Sequence, residues 1–238
     1  MKIIYALTIP LLFLFTMWVI EFFVRKSTMS KEAMTDSSAD YTPKYLKKEA
    51  MILVDPDSNL LKQNLNEYAK EAKSGNYFTL STKSSYANMY VSYLDWYTRH
   101  LIIKNSDLSS AITNNLVFED LLTAKKYYQL NQPKLSGAKI VPSDIYLLSI
   151  INPDTGHIEK VVELYVTNRS LFKLKSNWLD IGLSGQKINF DSIWKFEASF
   201  HMTNLTSYYC PSPIFAGYAD IELAENLRKV YDYFVTHT

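Results

Sequence analysis

Residues 3–24 read IIYALTIPLLFLFTMWVIEFFV, an apolar run whose one charged residue is Glu21. A helix of about 20 such residues crosses the hydrocarbon core of a bilayer. The run therefore predicts a transmembrane anchor over 1–25, with Ile3, Leu11, Phe15, Trp18, Phe22 and Val24 against lipid or its interface. Pro10 is compatible with a membrane helix, which it kinks rather than breaks. Glu21, at the edge of the run, either snorkels to headgroups or pairs with Arg25 one turn on. A cleavable export signal is the competing prediction. Such a signal has a shorter apolar core and a small-x-small site behind it, and no good site follows here.

The anchor makes this a single-pass protein of an inner membrane, and leaves open which side carries the rest. Lys2 alone precedes the run, whereas Arg25, Lys26, Lys31, Lys44, Lys47 and Lys48 follow it. The positive-inside rule then favours an interior domain. Against this, Glu32, Asp36, Asp40 and Glu49 dilute the basic side, and a short tail with Lys2 also begins ordinary export signals. Both orientations stand.

Beyond the anchor, residues 26–50 are polar, lack apolar periodicity and read as a tether. Residues 51–238 suit one soluble domain. The chain has 25 Lys and Arg against 24 Asp and Glu, a net charge of +1, so no global field draws it to nucleic acid. Only 6 of its 238 residues are Gly, which argues against glycine-rich phosphate loops. Cys210 is the only cysteine, which rules out an intrachain disulfide and reads as a small buried hydrophobe. The sequons at Asn168 and Asn204 are no more than chance allows.

Local patterns give an order of elements. Asp55-Pro-Asp-Ser reads as a turn before a helix over 60–73, with Leu61, Leu65, Tyr68 and Ala72 at helical spacing. Tyr86, Met89, Tyr90, Tyr93, Trp96, Tyr97 and Leu101 form an aromatic stripe at i, i+3, i+4 and predict a second helix from Ser84. A third covers 107–130, with Phe118, Leu121 and Leu122 inward. The period then changes. Residues 140–151 are strand-like, Asn152-Pro-Asp-Thr-Gly156 is a turn, and Val162, Leu164 and Val166 alternate with Val161, Glu163 and Tyr165. Trp194, Phe196, Ala198 and Phe200 alternate in a further strand. Residues 203–219 read as irregular, and 221–234 as a closing helix capped by Asp220, with Leu223, Leu227, Val230 and Phe234 on one face. Helices first and strands later predict an α+β fold: helices packed on one face of a curved antiparallel sheet, then a C-terminal helix.

Few residues suggest chemistry. His157, Glu159 and Glu163 share strand parity and are the nearest approach to a metal cluster, but His157 falls in a turn and the set reads as a solvated surface. Arg99 and His100 close the aromatic helix, where a cation suits the dipole. Asp95 beside the Tyr rings would make a general base if it lay in an apolar pocket. No Walker loop, dinucleotide fingerprint, nucleophile elbow or HExxH occurs. Catalytic, cofactor and metal residues are accordingly assigned to none.

The stretch 84–200 resembles the cone-shaped (cystatin-like) domain of nuclear transport factor 2-like and Tim44-like proteins. VPSDIYLLSIINPDTGHIEKVVELYVTN resembles its first strand pair, FDSIWKFEASF its Trp- and Phe-bearing strand, and Tyr86–His100 with 107–130 its early helices. Residues 203–238 depart from that pattern. The resemblance implies a cone around an apolar pocket, and members that dock on membranes and on translocation or secretion machines.

The resulting expectation is a membrane-anchored, non-enzymatic assembly subunit or docking adaptor of a translocation- or secretion-type complex. Its partners are the lipid bilayer and other membrane-complex subunits. Tyr86, Tyr90, Tyr93, Trp96 and Tyr97 offer the partner or pocket surface, since Tyr and Trp favour interface centres. Two alternatives stand beside it: a small-ligand or enzymatic cone with a Tyr-lined pocket, and an outward-facing immunity or exclusion factor.

Overall fold

The computed structural model describes residues 47–56, 58–62, 71–105, 107–204 and 206–236. The anchor and most of the tether lie outside them. Among the described residues no helix is long and apolar enough to cross a membrane.

The described elements belong to one compact unit, residues 43–238. In chain order they are β1 (Lys48–Leu53), α1 (Asn59–Lys62), β2 (Tyr77–Thr79), β3 (Ser85–Tyr86), β4 (Asn88–Ile103), α2 (Leu108–Thr113), β5 (Val117–Phe118) and α3 (Leu121–Leu130). Then follow β6 (Lys139–Ile151), β7 (Ile158–Thr167), α4 (Asn168–Leu183), β8 (Ser192–Met202), β9 (Ser207–Tyr218), α5 (Ile221–Tyr231) and a π-helical turn, Asp232–Thr236. The strands form one sheet in the order β3-β2-β1-β7-β6-β4-β8-β9, with β5 also on β4. Every pairing is antiparallel except β1 with β7. The fold is α+β, with a strongly curled sheet and a C-terminal helix.

Curling brings distant strands together over the concave face. Met51, Tyr77, Met89, Val91, Tyr146, Leu148, Ile150, Val162, Leu164, Trp194 and Phe196 fill it, and α4 lays Leu171 and Leu174 across it. The convex face is also covered. Ile145 and Tyr165 meet Ala111 of α2, while Leu147 and Val161 meet Leu223, Leu227 and Val230 of α5. Helices thus lie on both faces, not on the expected one. This explains why β6 and β7 read as near-continuous apolar runs, as strands buried on both sides do.

The main correction concerns the aromatic stripe. Residues 88–103 are β4, the longest strand, and not a helix. Tyr93 opposes Leu148 and Asp95 opposes Leu147, so Leu94 is an extra, bulged residue. Before the bulge, odd-numbered Met89 and Val91 face the concave core; after it, odd-numbered Tyr97 and Leu101 face the convex one. A bulge that exchanges the faces of a doubly buried strand puts apolar residues three and four apart, which mimics a helical period.

Other elements differ in part. The expected 107–130 helix is two helices separated by β5. Asp107 Oδ1 accepts from Ser110 N–H (3.0 Å) to start α2, and Asp120 Oδ1 accepts from Thr123 N–H (2.8 Å) to start α3. Of the expected 60–73 helix, Asn59–Lys62 is helical and 71–73 are not, while 63–70 lie outside the described residues. Lys48, Glu49 and Ala50, expected in the tether, belong to β1. The segment 203–219 contains β9.

The β6–β7 turn and the closing helix form as expected. Asn152 Oδ1 accepts from the N–H groups of Asp154 (2.9 Å) and Thr155 (3.2 Å), an Asx turn that positive-φ Gly156 completes. Asp220 accepts from Leu223 N–H (2.8 Å), and Leu223, Leu227 and Val230 are buried at helical spacing.

Candidate functional site

The five aromatic residues expected to share a surface are distributed over two faces. Tyr86 and Tyr93 pack on the concave core, Tyr90 on the α5 cluster and Tyr97 on the α2 cluster. Only Trp96 is well exposed, with Lys175 Nζ 5.7 Å from its ring centroid. They brace the sheet and do not form one patch.

The concave face holds side chains where a ligand pocket was an alternative expectation. Trp178 of α4 enters it edge-on, with ring centroids 5.8 Å from Tyr93 and 5.1 Å from Trp194. Trp194 in turn meets Phe215 at 5.3 Å. Near this core, a cleft lined by Leu53, Asp55, Tyr165, Ser170, Tyr209 and Pro211 encloses about 20 Å³. That is room for one water and no larger molecule.

Asp95 is not directed into the concave core. It opposes Leu147, whose side chain belongs to the convex α5 cluster. His100 lies within β4 opposite Pro142 and Phe118, so it caps no helix. His157, Glu159 and Glu163 do not converge. His157 and Glu159 are exposed, and Glu159 accepts from Asn152 Nδ2 (3.3 Å). Among the described residues no group of His, Cys, Asp and Glu is arranged to hold a metal ion.

Glu163 serves the packing instead. It accepts from the Tyr97 hydroxyl (2.5 Å) and the Tyr165 hydroxyl (3.3 Å), and Lys48 Nζ lies 3.7 Å away. Burial, then the neighbouring Glu163 charge, raises the pKa of both phenols. Nearby, Glu49 takes Thr82 Oγ1 (2.8 Å) and Lys160 Nζ (3.3 Å). These oppositely oriented ion pairs pin the register of β1 on β7.

A second buried carboxylate locks α4. Asp144 is fully buried on β6, where it accepts from Thr98 Oγ1 (2.9 Å) and has Lys175 Nζ of α4 at 2.9 Å. Ser170 Oγ donates to the Tyr209 carbonyl (2.7 Å), tying the same helix to β9. Cys210, beside Ser170, has its thiol pushed up to about 12 by burial, so it is held as an inert thiol.

The remaining feature with recognition chemistry is α3, which sequence analysis assigned to the core. Ala124 is its one buried residue. Tyr127 leans its ring against Phe118 at a tilt (5.1 Å between centroids), whereas Leu122 and Leu130 stand 61% and 84% exposed. Lys125, Lys126, Lys134 and Lys139 are exposed around them, and residues 121–143 contain no acid. Leu122, Lys126 and Leu130 recur every four residues and form an apolar stripe with a cation at its centre. The absence of acids from 121–143 was visible in the sequence; the shallow docking of the helix was not. No family model, curated protein or solved structure matches this chain.

Proposed function

We propose that the chain is a membrane-anchored, non-enzymatic docking subunit that presents α3 to an acidic partner protein in a membrane complex of the translocation or secretion type. The observation that carries this reading is α3 itself, a helix with one buried residue, three exposed leucines and, over 121–143, four lysines and no acid, with Glu119 and Asp120 at its start. Exposed apolar side chains among predominantly basic neighbours suit a complementary protein surface. The run 3–24 supports the anchor, which would confine the platform to the membrane plane and raise its effective concentration for membrane partners. The filled concave face favours this reading over a ligand-binding or enzymatic cone.

The likeness to nuclear transport factor 2-like and Tim44-like domains belongs to the same proposal. Strands stand at Lys139–Thr167 and Ser192–Met202, where the likeness requires them. A strand also stands at Asn88–Ile103, where it requires a helix.

The test is crosslinking of the full chain in its native membranes, followed by sizing in detergent. The wild-type chain should migrate in a larger assembly. L122D/L130D and K125E/K126E should each release it while leaving it folded and membrane-bound. A monodisperse wild-type monomer, or variants that still co-migrate, would sink the reading.

A further inference from the structure

One row of paired residues crosses most of the sheet. Lys48 of β1 pairs with Val161 of β7, Val161 with Ser149 of β6, Ser149 with Ser92 of β4, Ser92 with Ile193 of β8, and Ile193 with Gly217 of β9. Lys48 begins β1, so this row marks the end of the sheet at which the chain enters from its N-terminal segment. The Lys139 end of β6, near α3, lies about ten residues away along that strand, roughly 33 Å.

The entry end carries its own exposed apolar side chains. Tyr218 follows Gly217 and is 60% exposed; Ile221, the first residue of α5, is 83% exposed. Gln186 Nε2 donates to the Tyr218 hydroxyl (3.1 Å), which brings the C-terminal end of α4 to the same row. There Leu183 is 77% exposed, with Leu179 one turn behind it. Leu179 and Leu183 lie on the outer side of α4, away from Leu171 and Leu174, which face the core. None of these four residues is needed by the platform proposed above.

From this placement we infer that Leu183, Tyr218 and Ile221 form a lipid-facing rim, which seats the entry end of the domain on the surface of the bilayer. The inference rests on the anchor reading of 3–24. About 23 residues separate that run from Lys48, a reach of at most roughly 80 Å, so the entry end is free to return to the surface. Tethering makes even a shallow insertion sufficient, because the second contact is intramolecular. Two aliphatic side chains and a tyrosine whose hydroxyl keeps a polar partner suit the headgroup boundary. The charges next to these residues in sequence are mixed: Lys187 follows Leu183, and Asp220 and Glu222 flank Ile221. The surface is therefore taken to be zwitterionic phospholipid rather than an anionic patch. Seated this way, the domain directs α3 away from the membrane, toward partners.

The test uses the full chain reconstituted in phosphatidylcholine vesicles, with an environment-sensitive fluorophore attached at L183C, I221C or, at the far end, L130C. Cys210 is buried and stays unlabelled under native conditions. Probes at 183 and 221 should emit at shorter wavelength and be quenched by doxyl-labelled lipid, and the probe at 130 should not. If the chain floats with the vesicles but 183 and 221 are not quenched by doxyl lipid, the rim is overturned and the anchor stands. If 183 is unquenched yet shielded from aqueous iodide, a protein covers it, and the rim is likewise overturned. Equal quenching at all three positions also overturns it, because the domain then has no preferred seat. A chain that does not float at all removes the anchor, and this inference with it.

Discussion

The Tyr77 hydroxyl on β2 donates to the backbone carbonyl of Glu197 on β8 at 2.9 Å, joining residues 120 apart in sequence. In sheet order β2 and β8 are separated by β1, β7, β6 and β4, so this bond exists only because the sheet curls. The Tyr77 and Phe196 rings pack beside it, with centroids 6.4 Å apart. At the same seam, Tyr209 N–H of β9 leaves the ladder for Asp55 Oδ1 (2.8 Å). Pro211 and Pro213 share the alternation of Tyr209 and have no N–H, so the edge of β9 offers a second chain little to pair with.

Tyr77→Phe should leave the Glu197 carbonyl without this donor and cost about 1–3 kcal/mol. Urea unfolding should show a lower midpoint with an unchanged slope. Tyr77→Ala should cost more, about 3–5 kcal/mol, since it also empties the ring's site in the core. An unaltered midpoint for Tyr77→Phe would mean that the bond does not hold the curl.

Burial raises the phenol pKa of Tyr77, Tyr146 and Tyr165. In the folded chain these groups keep their protons above pH 10, where the unfolded chain loses them. Their contribution is complete below about pH 10 and declines as pH rises, by about 1.4 kcal/mol per pH unit for each tyrosine fully ionised on unfolding. Alkaline unfolding should therefore be steep, with phenolate absorbance near 295 nm appearing together with loss of the sheet signal. Phenolate absorbance from these tyrosines well before unfolding would contradict their burial.

Lys175→Met keeps the aliphatic stem over Trp96 but leaves Asp144 without its cation. Because Asp144 is buried and Lys175 is half-exposed, the cost falls below that of breaking a fully buried pair, at about 1–3 kcal/mol. Amide exchange in α4 should rise before that of β6. Adding Asp144→Asn removes the stranded charge and should recover part of the loss, a coupling readable from the double-mutant cycle. Additive effects would show that the pair does not hold the helix.

The start of α3 should loosen in acid. Thr123 donates its N–H and hydroxyl to Asp120, and these bonds lower the Asp120 pKa. A lowered carboxylate pKa means that the cap is complete above about pH 4 and is lost as pH falls below it. Exchange at Thr123 and neighbouring amides should accelerate through that range, and Asp120→Ala should be fast at every pH. On the docking proposal, binding of an acidic partner should weaken along the same curve.

Much of the second half of the fold was legible from period and turn chemistry. The alternation of Trp194 and Phe196, the Asn152 turn and the Asp220 cap each act locally, so each survives translation into structure. What escaped notice depends on tertiary context. The bulge at Leu94 exchanges faces only because β4 pairs with β6. The helix α4 went unassigned although Leu171, Leu174, Trp178 and Ile181 are helically spaced; the Thr167 hydroxyl at its start accepts no cap bond from the backbone. Residues 203–219 read as irregular, whereas the structure makes most of them β9, an edge strand where Pro211 and Pro213 are tolerated. The α3 platform was partly visible as lysines without acids; its exposure follows from how little of the helix finds a partner.

β1 lies between β2 and β7 rather than at the rim of the sheet, and it runs parallel to β7 from its first residue. Any tension arriving through the N-terminal segment would load the ladders on both of its sides in shear, so that many bonds must yield together. A tug on the C-terminal end would instead meet α5, which peels from the convex face turn by turn. The domain is thus mechanically polar, firm at its first strand and yielding at its last helix.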